Sequence, residues 1–170
     1  LVPYANCAGA DLSGMDMSGM NLTGINLQNA ILENANFDNA ILEGSNLRGI
    51  IANNATFRNA EMSYVQLNGA DFWDSQSCPL KGKGANFSGA IMSYSDLTNA
   101  NLYCADLSSA SLIGSNLNSI NLDRTWLRWT YMSDADMFHA SLVDALCQGT
   151  YFIDSDFTNA WFVFCGGSFI

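Results

Sequence analysis

Small residues and large apolar residues recur along the chain with a period of five. From Ala5 to Cys165, 26 of the 33 positions divisible by five hold Ala, Ser, Thr or Cys, and the other seven are apolar. Two residues further along each repeat, from Cys7 to Phe162, 27 of 32 positions hold Leu, Phe or Met. None of the 22 charged residues (16 acidic and six basic) falls at either position, which indicates that both positions are buried.

This period predicts a chain that turns a corner at every fifth position. It fits neither an α-helix, which repeats about every 3.6 residues, nor a single strand, which alternates about every two. Glycines and asparagines gather two positions after the large apolar residue, as at Gly14, Gly24, Asn29 and Asn34. A type II turn requires a positive φ at its third residue, and Gly and Asn adopt it at the lowest cost.

Three segments carry the repeat most clearly. Residues 10–14 read Ala-Asp-Leu-Ser-Gly, residues 35–39 read Ala-Asn-Phe-Asp-Asn, and residues 100–102 read Ala-Asn-Leu. This pattern resembles the pentapeptide-repeat family over nearly the whole chain. The resemblance implies an all-β fold, a right-handed quadrilateral β-helix solenoid with four pentapeptides per coil and about eight coils. The sequence predicts a single domain over residues 1–170, with an irregular loop at 75–84 where the inward positions lose their apolar residues.

Charged residues at a spacing of twenty positions support a coil of four repeats. Such residues are expected to stack on adjacent coils as cross-strand neighbours. Three pairs of opposite charge have this spacing, namely Asp38 with Arg58, Glu61 with Lys81, and Arg124 with Asp144. We interpret residues 75–84 as two degenerate repeats that bulge without losing the coil, and a partner-binding loop is the alternative.

Composition excludes several classes of function. The net charge of −10 argues against nucleic-acid binding, which requires basic patches. No apolar run approaches the roughly 18 residues of a membrane span. The single histidine, His139, is twenty positions from Ser119 and from Asn159, but a repeat protein stacks such residues by default. We therefore expect no enzyme activity and no cofactor.

Outward positions carry apolar residues where the family has Asp or Asn. We predict a lateral interface covered by another protomer, and strand propensity alone is the alternative explanation. Its residues are Ile31, Ile51, Ile91, Tyr131 and Tyr151, with Trp73, Tyr94, Ile113 and Ile153 on the same face. A second aromatic surface is predicted towards the C-terminus, from Trp126, Trp129, Phe138, Trp161 and Phe164.

Four aspartates form a candidate calcium site. Asp134 and Asp136 precede Asp154 and Asp156 by one coil of twenty positions, which places four carboxylates at one corner of adjacent coils. A hard cation such as Ca²⁺ relieves the repulsion between them. A solvated acidic edge without an ion is the alternative interpretation.

The five cysteines form neither a zinc motif nor an even disulfide framework. Ala5 and Cys165 hold the same repeat position, and eight whole coils of twenty positions separate them. This register predicts head-to-tail stacking of rods into a filament, in which Cys7 of one copy lies near Cys165 of the next.

The sequence thus predicts a non-enzymatic scaffold that acts through protein–protein association, with itself or with another protein. The resemblance also implies an alternative, because bacterial members of the family that mimic DNA bind DNA gyrase and give quinolone resistance. Such members usually dimerise through a C-terminal cap, which is not evident in residues 165–170. An exported location suits a scaffold, and a cytoplasmic location suits a gyrase binder.

Overall fold

The computed structural model describes residues 1–73 and 84–163, and no helix occurs in these two segments. The chain winds through single-residue parallel β-bridges, and a turn follows each bridge except those of Asp71 and Trp161. The bridges form four columns along the axis. The first column runs from Asn6 to Asp156, the second from Asp11 to Trp161, the third from Asp16 to Leu146, and the fourth from Asn21 to Tyr151.

Adjacent coils are joined by backbone hydrogen bonds of regular geometry. The amide of Leu32 donates to the carbonyl of Ile51 over 2.7 Å, and the amide of Ile51 donates to the carbonyl of Ala30 over 3.1 Å. Bridge partners up to Asp71 are twenty positions apart, as in the pair Ile31 and Ile51. The predicted coil of twenty positions is confirmed in this part of the chain.

The register changes between residues 71 and 86. Thr56 bridges to Asn86 and Asp71 bridges to Asn101, so partners there are thirty positions apart instead of twenty. Ten residues are therefore additional to the coil, and every later position is displaced by half a coil from a strict count of twenty. The expectation that the coil of twenty positions continues unbroken past residue 71 is wrong, and the predicted irregular loop at 75–84, apart from Gly84, lies outside the described segments.

Large and small inward residues fill a continuous core along the axis. Phe57 stacks between Phe37 and Phe87, with ring centroids 4.9 and 4.8 Å apart and planes within 3° of parallel. Phe72 meets Phe87 edge to face at 4.9 Å. All four rings are fully buried, so the additional residues leave the aromatic core continuous.

Hydroxyl groups at the small inward position are satisfied by main-chain carbonyls. The Ser95 hydroxyl donates to the carbonyl of Met62 over 2.9 Å, and the Thr150 hydroxyl donates to the carbonyl of Leu127. A buried hydroxyl without a partner is costly, and these contacts remove that cost. They explain why Ser and Thr replace Ala in the core.

The corners have the predicted turn conformation. Gly24 and Asn29 adopt φ values of 65° and 56° at the predicted position. Aromatic residues share this conformation, although side chains with a Cβ atom are strained there. The ring of Trp129, for example, covers Gly149 of the next coil, where a Cβ atom would lie 2.4 Å from the ring.

Outward polar residues connect the coils along the axis. The Asn26 amide donates to the Asn6 side-chain oxygen over 3.0 Å, and Asn121 donates to Asn101 over 3.1 Å. Asp38 accepts hydrogen bonds from the main chain and side chain of Arg58, at 3.0 and 2.8 Å. This predicted ion pair is confirmed.

Burial raises the pKa of Asp38, but the hydrogen bonds from Arg58 and Thr56 outweigh burial and hold the pKa below its usual value. Arg124 lies 3.9 Å from Asp144, which confirms a second predicted pair. The third predicted pair includes Lys81, which lies outside the described residues.

Candidate protein interaction surface

The fourth bridge column, in the second half of the chain, carries a surface without charged side chains. Its bridge positions and the positions two residues later hold only apolar residues and serines. We call this surface the uncharged face, and its residues are Ile91, Ser93, Ser111, Ile113, Tyr131, Ser133, Tyr151 and Ile153.

Contacts within the uncharged face hold its side chains in place. The rings of Tyr131 and Tyr151 stack with centroids 4.8 Å apart and planes within 3° of parallel. The Ser93 and Ser111 hydroxyls lie 2.9 Å apart and hydrogen-bond to each other. The polar groups of these two serines thus have a partner within the chain, which lowers the cost of removing water from the face.

Large apolar side chains of the uncharged face remain accessible. Ile91 and Tyr131 are each 45% exposed, and Ile153 is 55% exposed. Tyr94 borders the face at the next corner, where it is 59% exposed and stacks on Tyr64 at 5.7 Å. Sequence reasoning missed Tyr64, because an aromatic residue at a turn position is not expected to contact the residue thirty positions later.

Charge changes along the fourth column. Glu43 and Glu61 occupy the corresponding positions in the first half of the chain and are exposed. Asp134 and Asp154 lie at the corner beside the uncharged face, with φ values of 58°, rather than on the face itself. The uncharged surface is therefore limited to one half of one side of the coil.

The prediction of one continuous lateral face is wrong. Ile31 and Ile51 belong to the second bridge column, whereas Ile91, Tyr131 and Tyr151 belong to the fourth. These two columns are not neighbours, because a coil passes from the second to the third and then to the fourth column. The ten additional residues cause the separation, since they shift every later position by two columns.

Trp73 lies with the second column, where its ring meets that of Tyr103 edge to face at 5.9 Å. Tyr94, Ile113 and Ile153 remain with the fourth column. The predicted set therefore divides into two surfaces, of which the uncharged face is the larger.

The predicted C-terminal aromatic residues do not form one surface. Trp126 belongs to the third column and is half-buried beneath the guanidinium of Arg128, 5.1 Å from the ring centroid. Trp161 belongs to the second column and is 67% exposed. Trp129 and Phe138 occupy other positions around the coil and are exposed, and Phe164 lies outside the described residues.

The four predicted calcium ligands are not arranged as a metal site. In residues 1–73 and 84–163, no group of three or more His, Cys, Asp or Glu side chains is placed to hold a metal ion. Asp136 and Asp156 instead accept hydrogen bonds from main-chain amides two residues later. Thr158 supplies a second hydrogen bond through its hydroxyl and, with its amide, lowers the pKa of Asp156.

The cysteines differ from one another in state. Cys104 and Cys147 are each disulfide-bonded, and Cys7 is the free cysteine of the described segments. Cys165, the predicted neighbour of Cys7 across stacked ends, lies outside those segments.

The register argument for stacking is wrong. The first column passes from Asn6 to Asp156 in seven coils, and one of these coils contains the ten additional residues. A separation of 160 positions across residues 71–86, as between Ala5 and Cys165 in the sequence, therefore amounts to seven and a half coils instead of eight.

Comparisons with known proteins agree with this architecture. The bridges and turns define a repeat protein of the right-handed β-helix class. The family model for pentapeptide repeats matches residues 5–44, 42–74, 83–118 and 130–163, with eight copies, and the chain belongs to this family. A comparison with curated proteins gave no match. No helix in the described residues is long and apolar enough to cross a membrane.

Several solved structures are similar to the chain. A trypsin-treated form of QnrB1, a plasmid-mediated fluoroquinolone resistance protein, is 17% identical with a TM-score of 0.54, over 95% of this chain and 86% of that one.

HetL, a pentapeptide repeat protein involved in heterocyst differentiation regulation in the cyanobacterium Nostoc sp. strain PCC 7120, is 20% identical with a TM-score of 0.44, over 98% and 92%. A pentapeptide repeat protein of the Arabidopsis thaliana thylakoid lumen is 24% identical with a TM-score of 0.34, over 88% and 70%.

Proposed function

We propose that the chain is a non-enzymatic scaffold that acts through protein–protein association, as a single domain over residues 1–170. The uncharged face carries this proposal. On a chain with a net charge of −10, a surface that combines exposed Ile and Tyr side chains with no charged group is typical of a contact surface.

The geometry of the coil supports a rigid rod. Four bridge columns are consistent with a quadrilateral cross-section and about eight coils in all. Stacked rings and amide hydrogen bonds run along the axis and stiffen it. Such a rod presents its surfaces at fixed positions, which is what a scaffold requires.

The partner is a further copy of the chain or another protein, and the net charge of −10 argues against nucleic acid. Copies associate either side by side or end to end, and end-to-end contact produces a filament. The disulfide bonds of Cys104 and Cys147 favour an exported location, because structural disulfides persist in oxidising compartments.

A DNA-mimicking gyrase binder of the quinolone-resistance type is the second candidate function. Its support is the fold shared with QnrB1 and the excess of acidic residues. The distribution of those acids is less favourable, since the uncharged face interrupts them on one side of the rod.

Two measurements on the purified chain distinguish the candidates. Sedimentation velocity with negative-stain microscopy detects association over a wide concentration range, and a supercoiling assay detects gyrase inhibition. Association without gyrase inhibition is the expected result. Inhibition of gyrase supports the second candidate, whether or not the chain associates with itself, and contradicts the first.

A further inference from the structure

We propose that the partner of the uncharged face is a second copy of this chain, bound with its rod axis antiparallel to the first. This inference rests on the proposed function, because it names the partner of the same surface. Three features of the described residues support it: the charge along the fourth column, the exposed area, and the hydrogen bond within the face.

Electrostatic repulsion restricts the contact between two copies to the uncharged half of the fourth column. Two chains of net charge −10 repel each other, and they approach most easily where neither carries an acid. The uncharged face carries no acid itself, and Asp134 and Asp154 lie at the corner beside it, whereas Glu43 and Glu61 lie within the same column. Contact is therefore expected over the coils that hold Ile91, Ser111 and Tyr131, and over the coil of Tyr151.

The positions of Glu43 and Glu61 favour the antiparallel orientation over the parallel one. In a parallel pair related by a two-fold axis along the rods, every coil faces its own copy, so Glu43 and Glu61 of both chains meet at the contact. In an antiparallel pair centred between Ser111 and Tyr131, the coil of Ile91 faces that of Tyr151. The glutamates then lie beyond the end of the partner's uncharged face, and those of the two copies do not face each other.

The exposed area suits a reversible dimer. Ile91, Tyr94, Tyr131 and Ile153 are 45%, 59%, 45% and 55% exposed. Complete covering of these four side chains buries roughly 400 Å² of solvent-accessible surface per copy. With the serines and the half-buried neighbours, the area buried on both copies together approaches the roughly 1,200 Å² of a small specific interface. The Ser93–Ser111 hydrogen bond leaves fewer polar groups to be satisfied by the partner.

A matched pair of substitutions tests the surface. Ile91→Lys and Ile51→Lys change the same residue type at equivalent bridge positions of different columns, with 45% and 42% exposure. Ile91→Lys is expected to weaken the dimer more than about a hundredfold in sedimentation velocity, because both copies then bury a lysine. Ile51→Lys is expected to leave the dimer unchanged. If Ile91→Lys does not fold by circular dichroism, Ser133→Glu replaces it.

Spin labels test the orientation in a Cys7→Ala background. Ser18→Cys and Ser108→Cys place labels on the adjacent third-column side, four coils apart. In the antiparallel dimer the axial separations of the two label pairs differ by about 38 Å, from a coil spacing of about 4.8 Å. In a parallel dimer the two pairs have equal axial separations. Pulsed electron–electron double resonance measures both distances.

The outcomes separate this inference from the proposed function. A dimer that Ile91→Lys disrupts, with a longer Ser18 distance than Ser108 distance, supports the antiparallel pair. A monomer at every concentration, equal effects of the two lysines, or equal label distances overturns it. Association that persists through the rod ends with both lysine variants also overturns it, but leaves the proposed scaffold function in place.

Discussion

Aromatic stacking across the ten additional residues provides a quantitative test of the register. We predict that Phe57 and Phe87 are energetically coupled, although a coil of twenty positions would not stack them. Their rings are parallel within 3° with centroids 4.8 Å apart, and both are fully buried. A stacked pair of this kind contributes about 0.5–1.5 kcal/mol beyond area burial.

The perturbation is a double-mutant cycle built from Phe57→Leu and Phe87→Leu. Each single change removes a ring while keeping an apolar side chain, and we expect each to reduce the free energy of unfolding by about 1–2 kcal/mol. Because the double variant loses the stacked contact only once, its loss should fall short of the sum of the single losses by about 1 kcal/mol.

The assay is equilibrium unfolding in guanidinium chloride, followed by circular dichroism with reversibility checked by dilution. Phe37→Leu combined with Phe87→Leu is the matched control, because Phe57 lies between these two rings in the stack. The control pair should be additive within about 0.5 kcal/mol. Coupling no larger than that of the control would refute the shifted register.

Three further predictions concern charge, turns and metal. Asp38→Asn should lower the free energy of unfolding at neutral pH by about 1–3 kcal/mol, because it removes a charged partner of Arg58. The pKa of Asp38 is lowered in the folded chain, so its stabilisation is present above the ordinary pKa and is lost as the pH falls through the folded value. The difference between variant and wild type should therefore shrink in acid, and a constant difference over a pH titration contradicts this. Gly44→Ala, at a φ of 64° with open space around it, should reduce the free energy of unfolding by about 1 kcal/mol. Gly149→Ala should reduce it further, because the ring of Trp129 must also move. Equal melting temperatures of the two variants would show that the ring does not cover Gly149. Calcium should leave the melting temperature unchanged, since the four predicted aspartate ligands are not arranged as a site, and a rise in a calorimetric scan would reinstate that site.

The sequence predicts the coil because each local signal acts within a single repeat. Burial excludes charge from the inward positions, and a positive φ favours Gly and Asn at the corner. Gly24 and Asn29 follow this rule. Trp129 does not, because its ring gains contact with the next coil, and such a contact cannot be read from one repeat.

The sequence alone does not show which outward residues share a face of the rod. Phe72 and Phe87 remain in phase with the period of five whether the residues between them stay in the coil or leave it. Long-range pairings, such as those of Asp71 with Asn101 and of Thr56 with Asn86, distinguish these possibilities. A strict count along the sequence consequently assigns Ile51 and Ile91 to one face, whereas they lie in different columns of the structure.

The change of register has a consequence for how such chains evolve. The inward positions of all columns accept the same residue types, so the core can accommodate the gain or loss of one repeat. The same change moves every later surface residue to the neighbouring column. Two repeats bring together surfaces from opposite sides of the rod, and four restore the original pairing. Length variation at a single point can thus create new combinations of existing surface patches, without any substitution in the patches themselves.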